Sequence, residues 1–218
     1  VSRFARTTWP AACLLANLLA GLVVPGPVAA FPADLFGYGE APQADIAAFP
    51  QWAQALERQL RDRLRDTACT GTSRRGCELR DWQAFLQSVR ALPRAEQLRR
   101  VNRYANDHPY ILDGENYGRE DYWAIPREFL PRGGDCEDFV LAKYFSLRLL
   151  GYGVDELRVV VVQDTNLRVP HAVLAVARGS EAWILDNQVQ QVRSHRDIVH
   201  YAPVYSINDR QWWLHAPR

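Results

Sequence analysis

One run could carry chemistry at once: Gly133-Gly134-Asp135-Cys136-Glu137-Asp138, at the head of an apolar helical stretch. A thiol placed where a glycine-rich turn becomes a helix faces unpaired backbone N–H groups and the positive end of the helix dipole, both of which favour thiolate. Downstream lie a candidate base, His171, and a candidate orienting carboxylate, Asp186. A thiolate nucleophile, an imidazole that takes its proton and a carboxylate that fixes the imidazole tautomer make an acyl-transfer or peptide-cleaving centre. The oxyanion of such a reaction would rest on the Cys136 backbone N–H and a second donor near Tyr122 or Trp123.

The other cysteines single out Cys136. Cys13 lies in a segment with the pattern of a secretory signal peptide. Arg3 and Arg6 form a basic start, Ala11 to Val24 is apolar, Pro25-Gly26-Pro27 breaks the run, and Val28-Ala29-Ala30 offers small residues for cleavage after Ala30. The apolar run falls short of the ~20 residues of a spanning helix. Export makes a disulfide between Cys69 and Cys77 the expectation, around a Gly/Ser/Thr/Arg loop. Cys136 is then left unpaired. A lone cysteine is more often buried and inert than reactive; the residues around this one reverse that balance.

His171 and Asp186 can be brought together by one turn. Gly179-Ser180 as a two-residue hairpin loop pairs Arg178 with Glu181 and Val173 with Asp186. His171, two residues from Val173, then shares a face with Asp186 as its diagonal neighbour, about 7–8 Å away at the backbone. A one-residue slip in register would separate them. His195, His200 and His215 are equally available by type, but none begins a strand with an acid suitably placed on the next.

The acids beside Cys136 oppose its ionisation, because Asp135, Glu137 and Asp138 would each raise the thiol pKa. Two readings are open. The acids cap the helix and pair with arginines, or some of them bind a hard cation that cancels their field. Calcium takes such oxygen ligands from flexible loops. Asp135 and Glu137 are candidate ligands, with Asp113 and Asn116 added from the preceding loop, although no EF-hand pattern is present. Four spaced Cys/His ligands for zinc are absent.

The elements that must position these groups follow from periodicity. Trp52, Leu56, Leu60 and Leu64 mark an amphipathic helix over residues 51–66. Asp81 is expected to cap a second helix carrying Trp82, Phe85, Leu86 and Val89, and Pro93 to start a third with Leu98 and Val101 inward. Residues 31–50 read as extended. Residues 107–134 read as a long loop whose aromatics argue for order. Asp135 is the expected N-cap of a helix running to about Leu150, with Gly151 beyond its end. That helix is apolar on most sides and so central. Strands follow at 157–163, 171–177, 182–186 and, more weakly, 204–207. Helices first and an antiparallel sheet after is an α+β layout, one domain over residues 31–218.

The chain has 218 residues, 48% of them hydrophobic and 23% charged, which fits an ordinary globular domain. Without residues 1–30 the balance is 24 basic against 25 acidic side chains, 24 − 25 = −1. This argues against a nucleic-acid partner.

The runs Arg99-Arg100-Val101-Asn102, Asp121-Tyr122-Trp123-Ala124-Ile125-Pro126, Gly134-Asp135-Cys136-Glu137-Asp138-Phe139, Ala142-Lys143-Tyr144, His171-Ala172-Val173-Leu174 and Leu185-Asp186-Asn187 resemble the bacterial transglutaminase-like cysteine proteinases, and among them the periplasmic LapG-type adhesin proteases. The resemblance covers roughly residues 45–215. It implies a papain-like, transglutaminase-type fold with Cys136 as nucleophile, His171 as base and Asp186 as orienting acid. It implies calcium bound by Asp135 and Glu137. It implies a substrate, a giant surface adhesin cut near its N-terminus after paired alanines, and a partner, an inner-membrane receptor that senses cyclic-di-GMP and sequesters the protease. The alternative on the same residues is a protein-glutamine acyltransferase, in which an amine rather than water resolves the thioester.

Overall fold

The structure, a computed structural model, describes residues 31–62 and 77–218. Residues 1–30, with the expected signal segment, and Cys69, the expected disulfide partner of the buried Cys77, lie outside the described residues. Among those that are described, no helix is long and apolar enough to cross a membrane.

The helical part comprises α1 (Pro50–Asp62), α2 (Glu78–Val89), α3 (Arg94–Asn106), two single-turn helices α4 (Asp113–Asn116) and α5 (Pro126–Phe129), and α6 (Cys136–Leu149). The strands are β1 (Gly39–Gln43), β2 (Leu157–Asp164), β3 (Val169–Arg178), β4 (Glu181–Leu185), β5 (Arg193–Ser194), β6 (Tyr201–Ile207) and β7 (Trp212–Ala216). They form one antiparallel sheet in the order β1-β7-β6-β2-β3-β4-β5. The α+β layout with a central helix on an antiparallel sheet is therefore as expected from the sequence.

α6 has no polar face because it has no solvent face: every residue from Asp138 to Leu147 is buried. Val140, Leu141, Tyr144 and Leu147 pack with Trp52, Leu98 and Val101 from α1 and α3, and with Val159, Ala172, Leu174 and Val176 from the sheet. The opposite sheet face buries Val160, Val162, Val173, Ala175 and Ile184 under Leu35 and Ile198. β2 and β3 are thus covered on both sides, which is why they read as nearly continuous apolar runs.

Three expectations need correction. The second helix begins at Glu78, with Asp81 inside its first turn, because Leu79 already buries its side chain against Trp82, Phe129 and Phe139. Residues 31–50 are not simply extended: they hold β1 between two short 3₁₀ turns. The loop before Cys136 is broken by α4 and α5, both held by hydrogen bonds to neighbouring backbone.

Candidate active site

The turn that delivers Cys136 is built by two glycines. Gly133 adopts φ +87°, a left-handed conformation, and a Cβ there would overlap the Pro109 carbonyl. A Cβ on Gly134 would overlap the Asp138 side chain. Backbone bonds stitch this turn to the chain before α4: Ile111 N–H donates to Gly134 O at 2.9 Å, and Gly134 N–H to Pro109 O at 3.3 Å. Asn116 adds a side-chain bond, its Nδ2 donating to Gly133 O at 3.1 Å.

His171 and Asp186 meet. Arg178 pairs with Glu181 and Leu174 with Leu185, the register that a Gly179-Ser180 turn dictates. His171 Nε2 lies 2.9 Å from Asp186 Oδ1, and both residues are buried. Asp186 Oδ1 also accepts from Gln188 N–H at 2.9 Å, and Oδ2 accepts from the Tyr201 hydroxyl at 2.6 Å. Burial alone would raise this carboxyl. The His171, Tyr201 and Gln188 bonds outweigh burial and hold it below its ordinary value. An ionised Asp186 accepts the Nε2 proton, so the imidazole presents Nδ1 as its basic nitrogen. Tyr201, on β6, is a site residue that sequence reasoning missed.

The thiol is held differently. Cys136 is free and opens α6, but its Sγ donates to Glu137 Oε2 at 3.1 Å rather than to His171. Burial, then the Glu137 carboxylate and its hydrogen bond, then Asp135, push the Cys136 thiol far above its ordinary pKa; only the Ala172 N–H on β3 opposes them. Burial and the acids together raise the thiol, and the expected thiolate is not what this arrangement favours.

Asp113, Asp135 and Glu137 converge, each offering an oxygen within 4.8 Å of the others. Burial first, then Asp135, raises Glu137 to about 8; burial first raises Asp113 to about 6; burial also raises Asp135. The charged groups that act most strongly on the three are one another and Asp121. Asp135 has the backbone of an N-cap, yet its side chain makes no cap bond, and Asp135 Oδ1 and Asp113 Oδ1 are buried without partners. Converging acidic oxygens with orphaned lone pairs suit a hard cation. Asn116 spends its Nδ2 on the Gly133 bond above, which leaves its Oδ1, the atom that would ligate, outside that bond.

Asp138 stands apart from this cluster. It is fully buried, accepts from Ala124 N–H at 2.6 Å through Oδ1, and burial raises it to about 9. Of the donors near the expected oxyanion position, the two side chains are already bonded: Trp123 Nε1 donates to Asp121 at 3.0 Å and the Tyr122 hydroxyl to Glu128 at 2.9 Å. The Cys136 backbone N–H, in the first turn of α6, has no partner within its own helix. Among the other histidines, His195 packs edge-on to Phe36, His215 bonds Ser206 and His200 packs against Tyr201.

A family model described as bacterial transglutaminase-like cysteine proteinase matches residues 68–216. Calcium-bound LapG of Legionella pneumophila shares 30% sequence identity at TM-score 0.59, covering 73% of this chain and 87% of that one. EGTA-treated LapG of the same organism shares 28% at TM-score 0.60, covering 80% and 87%. No curated protein sequence matches. The chain belongs to the bacterial transglutaminase-like cysteine proteinases, and it is a cysteine protease.

Proposed function

We propose that this chain is a calcium-dependent endopeptidase of the periplasm that cuts a large surface adhesin near its N-terminus, after paired alanines, and so releases cells from a biofilm. Cys136 is the nucleophile, His171 its base and Asp186 the orienting acid. An inner-membrane cyclic-di-GMP receptor, through its periplasmic domain, sequesters the enzyme. The observation that carries this reading is the conjunction of a buried His171–Asp186 pair with a Cys136 thiol bonded to one of three converging acids.

Asp113, Asp135 and Glu137 would hold the cation. Calcium held there would supply positive charge, which lowers the thiol pKa. Cys136 Sγ gives its proton to His171 Nδ1 as it attacks the carbonyl carbon. Asp186 keeps the imidazole oriented and stabilises it when it becomes imidazolium. The Cys136 backbone N–H, at the α6 N-terminus, faces the charge that develops on the attacked carbonyl oxygen. Asn116 keeps the Gly133 carbonyl, and with it the turn before Cys136, in place. Calcium binding is also supported by the calcium-bound form of the Legionella relative.

The test is incubation of the protein with an adhesin N-terminal fragment containing paired alanines, with calcium, with chelator, and as Cys136→Ala. Cleavage that requires both calcium and Cys136 supports the reading. Cleavage that survives the chelator removes calcium from it. Ammonia release without a new N-terminus transfers the site to glutamine acyl transfer.

A further inference from the structure

Ahead of β1 the chain holds a residue that does not suit its backbone. Within the 3₁₀ turn Leu35–Gly37, Phe36 adopts φ +54° and ψ +24°, the left-handed region. Gly37 follows at φ +82°, and Tyr38 N–H donates to Leu35 O at 3.1 Å. A turn with two left-handed central residues favours Asn, Asp or Gly at the first of them. A phenylalanine there is strained, and strain that the surroundings hold in place points to a use. One consequence is visible at once. Leu35 and Phe36, neighbours in sequence, both pack on the sheet face opposite α6. An extended chain, whose side chains alternate, could not place both there.

The Phe36 ring meets two others edge-on. Tyr201 lies 5.8 Å away between centroids, at 77°, and His195 lies 6.3 Å away, at 72°. Tyr201 leads to the site. Its hydroxyl donates to Asp186 Oδ2 at 2.6 Å, and its ring lies 5.7 Å from the His171 ring. Asp186 Oδ1 in turn lies 2.9 Å from His171 Nε2. The contacts are continuous from the turn to the base: ring on ring, hydroxyl on carboxylate, carboxylate on imidazole. Edge-to-face pairs are directional. Phe36 therefore restricts the tilt of the Tyr201 ring and, with it, the place of the hydroxyl.

We propose that Phe36 is a positioning residue for the His171–Asp186 pair, acting through Tyr201. The strained turn sets its ring against Tyr201, and the ring keeps the hydroxyl on Asp186 Oδ2. Phe36 bears on the reaction only by this route, so the inference rests on the Cys136–His171–Asp186 reading.

Phe36→Gly removes the ring while suiting the left-handed backbone, so the turn is kept. Loss of a positioning residue lowers kcat on the fragment of the preceding test by about 3- to 10-fold and leaves KM within a factor of about two. Phe36→Leu, apolar but without an aromatic edge, should show the same fall on a smaller scale, and Phe36→Tyr, which keeps the ring, should retain kcat. The deciding comparison is a cycle with Tyr201→Phe. Once the hydroxyl is gone, Phe36→Gly has nothing left to position and should lower kcat no further. A second measurement needs no substrate. In ¹⁵N-histidine-labelled protein the His171 Nε2 proton resonance should shift in Phe36→Gly in the same direction as in Tyr201→Phe. An unchanged kcat in Phe36→Gly, an equal fall with and without the Tyr201 hydroxyl, or an unmoved Nε2 proton overturns the proposal. Cys136→Ala, assayed beside them, separates the two failures. If it is inactive while Phe36→Gly keeps full kcat, the role of Phe36 alone is refuted; if it stays active, the triad itself is wrong.

Discussion

Tyr201→Phe tests whether Asp186 is held ionised by its neighbours. The substitution deletes one hydroxyl and leaves the ring, so the edge contacts with Phe36 and His200, at 5.8 and 4.5 Å between centroids, persist and no cavity opens. What is lost is the 2.6 Å bond to Asp186 Oδ2, the one hydrogen bond that oxygen receives. A buried bond to a charged acceptor contributes about 1.5–3 kcal/mol. For a chain of this size that is a fall in Tm of about 3 to 12 °C. The loss has a pH signature. The folded-state pKa of Asp186 lies below its ordinary value, so its contribution to stability is present above the unfolded value and disappears as pH falls through the folded one. The gap between wild type and variant should therefore be full at neutral pH and close progressively below about pH 4. Thermal unfolding of both proteins from pH 7 downward measures it. A gap that is constant across that range, or below about 0.5 kcal/mol at pH 7, would refute the argument that this hydroxyl stabilises a carboxylate.

Other outcomes follow from the same geometry. Calcium at a hundredfold excess over its Kd should raise stability by about 2.7 kcal/mol, and Asp113→Asn should abolish most of that rise; calorimetry with and without chelator reads both. Gly134→Ala forces a Cβ into the buried Asp138 side chain, costing about 1–3 kcal/mol and displacing the start of α6, with a loss of activity that urea titration and kinetics would record together. Trp82→Phe removes the 2.8 Å bond from Nε1 to Ser146 Oγ, between α2 and α6; it should cost about 1 kcal/mol in urea titration while kcat stays unchanged.

What the sequence disclosed was local. The His171–Asp186 pairing could be worked out because a two-residue turn at Gly179-Ser180 fixes every pair along the hairpin, and nothing outside the hairpin can change that register. α6 was legible because burial on all sides leaves a composition that few other contexts produce. Asp135 misled as a cap, since its backbone is that of an N-cap while its carboxylate turns to Asp113 and Glu137. The helix N-terminus suggested a thiolate and the neighbouring acids opposed it; the burial that adds to the acids is a property of the fold. Tyr201 carries no local sign that its hydroxyl reaches Asp186. β7 escaped notice for a specific reason: in Trp212–Ala216 the alternation is inverted, with His215 buried against Ser206 while Leu214 is exposed. β1, with Pro42 in its short span, reads as loop.

That edge of the sheet also bears on how the chain comes to be folded. β1 has a single strand partner, β7, with Gly39 opposite Ala216 and Gln43 opposite Trp212. Arg158 on β2 reinforces the closure, its guanidinium lying between the rings of Phe31 and Trp213 and bonding Glu40 on β1 at 2.5 Å. β1 therefore has no strand to pair with until β7 has been made and has emerged from whatever synthesises the chain. Loop closure over nearly the whole sequence is slow compared with forming α6 or the β3–β4 hairpin. A late zipping of β1 onto β7 leaves the sheet between β7 and β5 to assemble first, so the completed edge reports that everything from β1 to β7 has arrived.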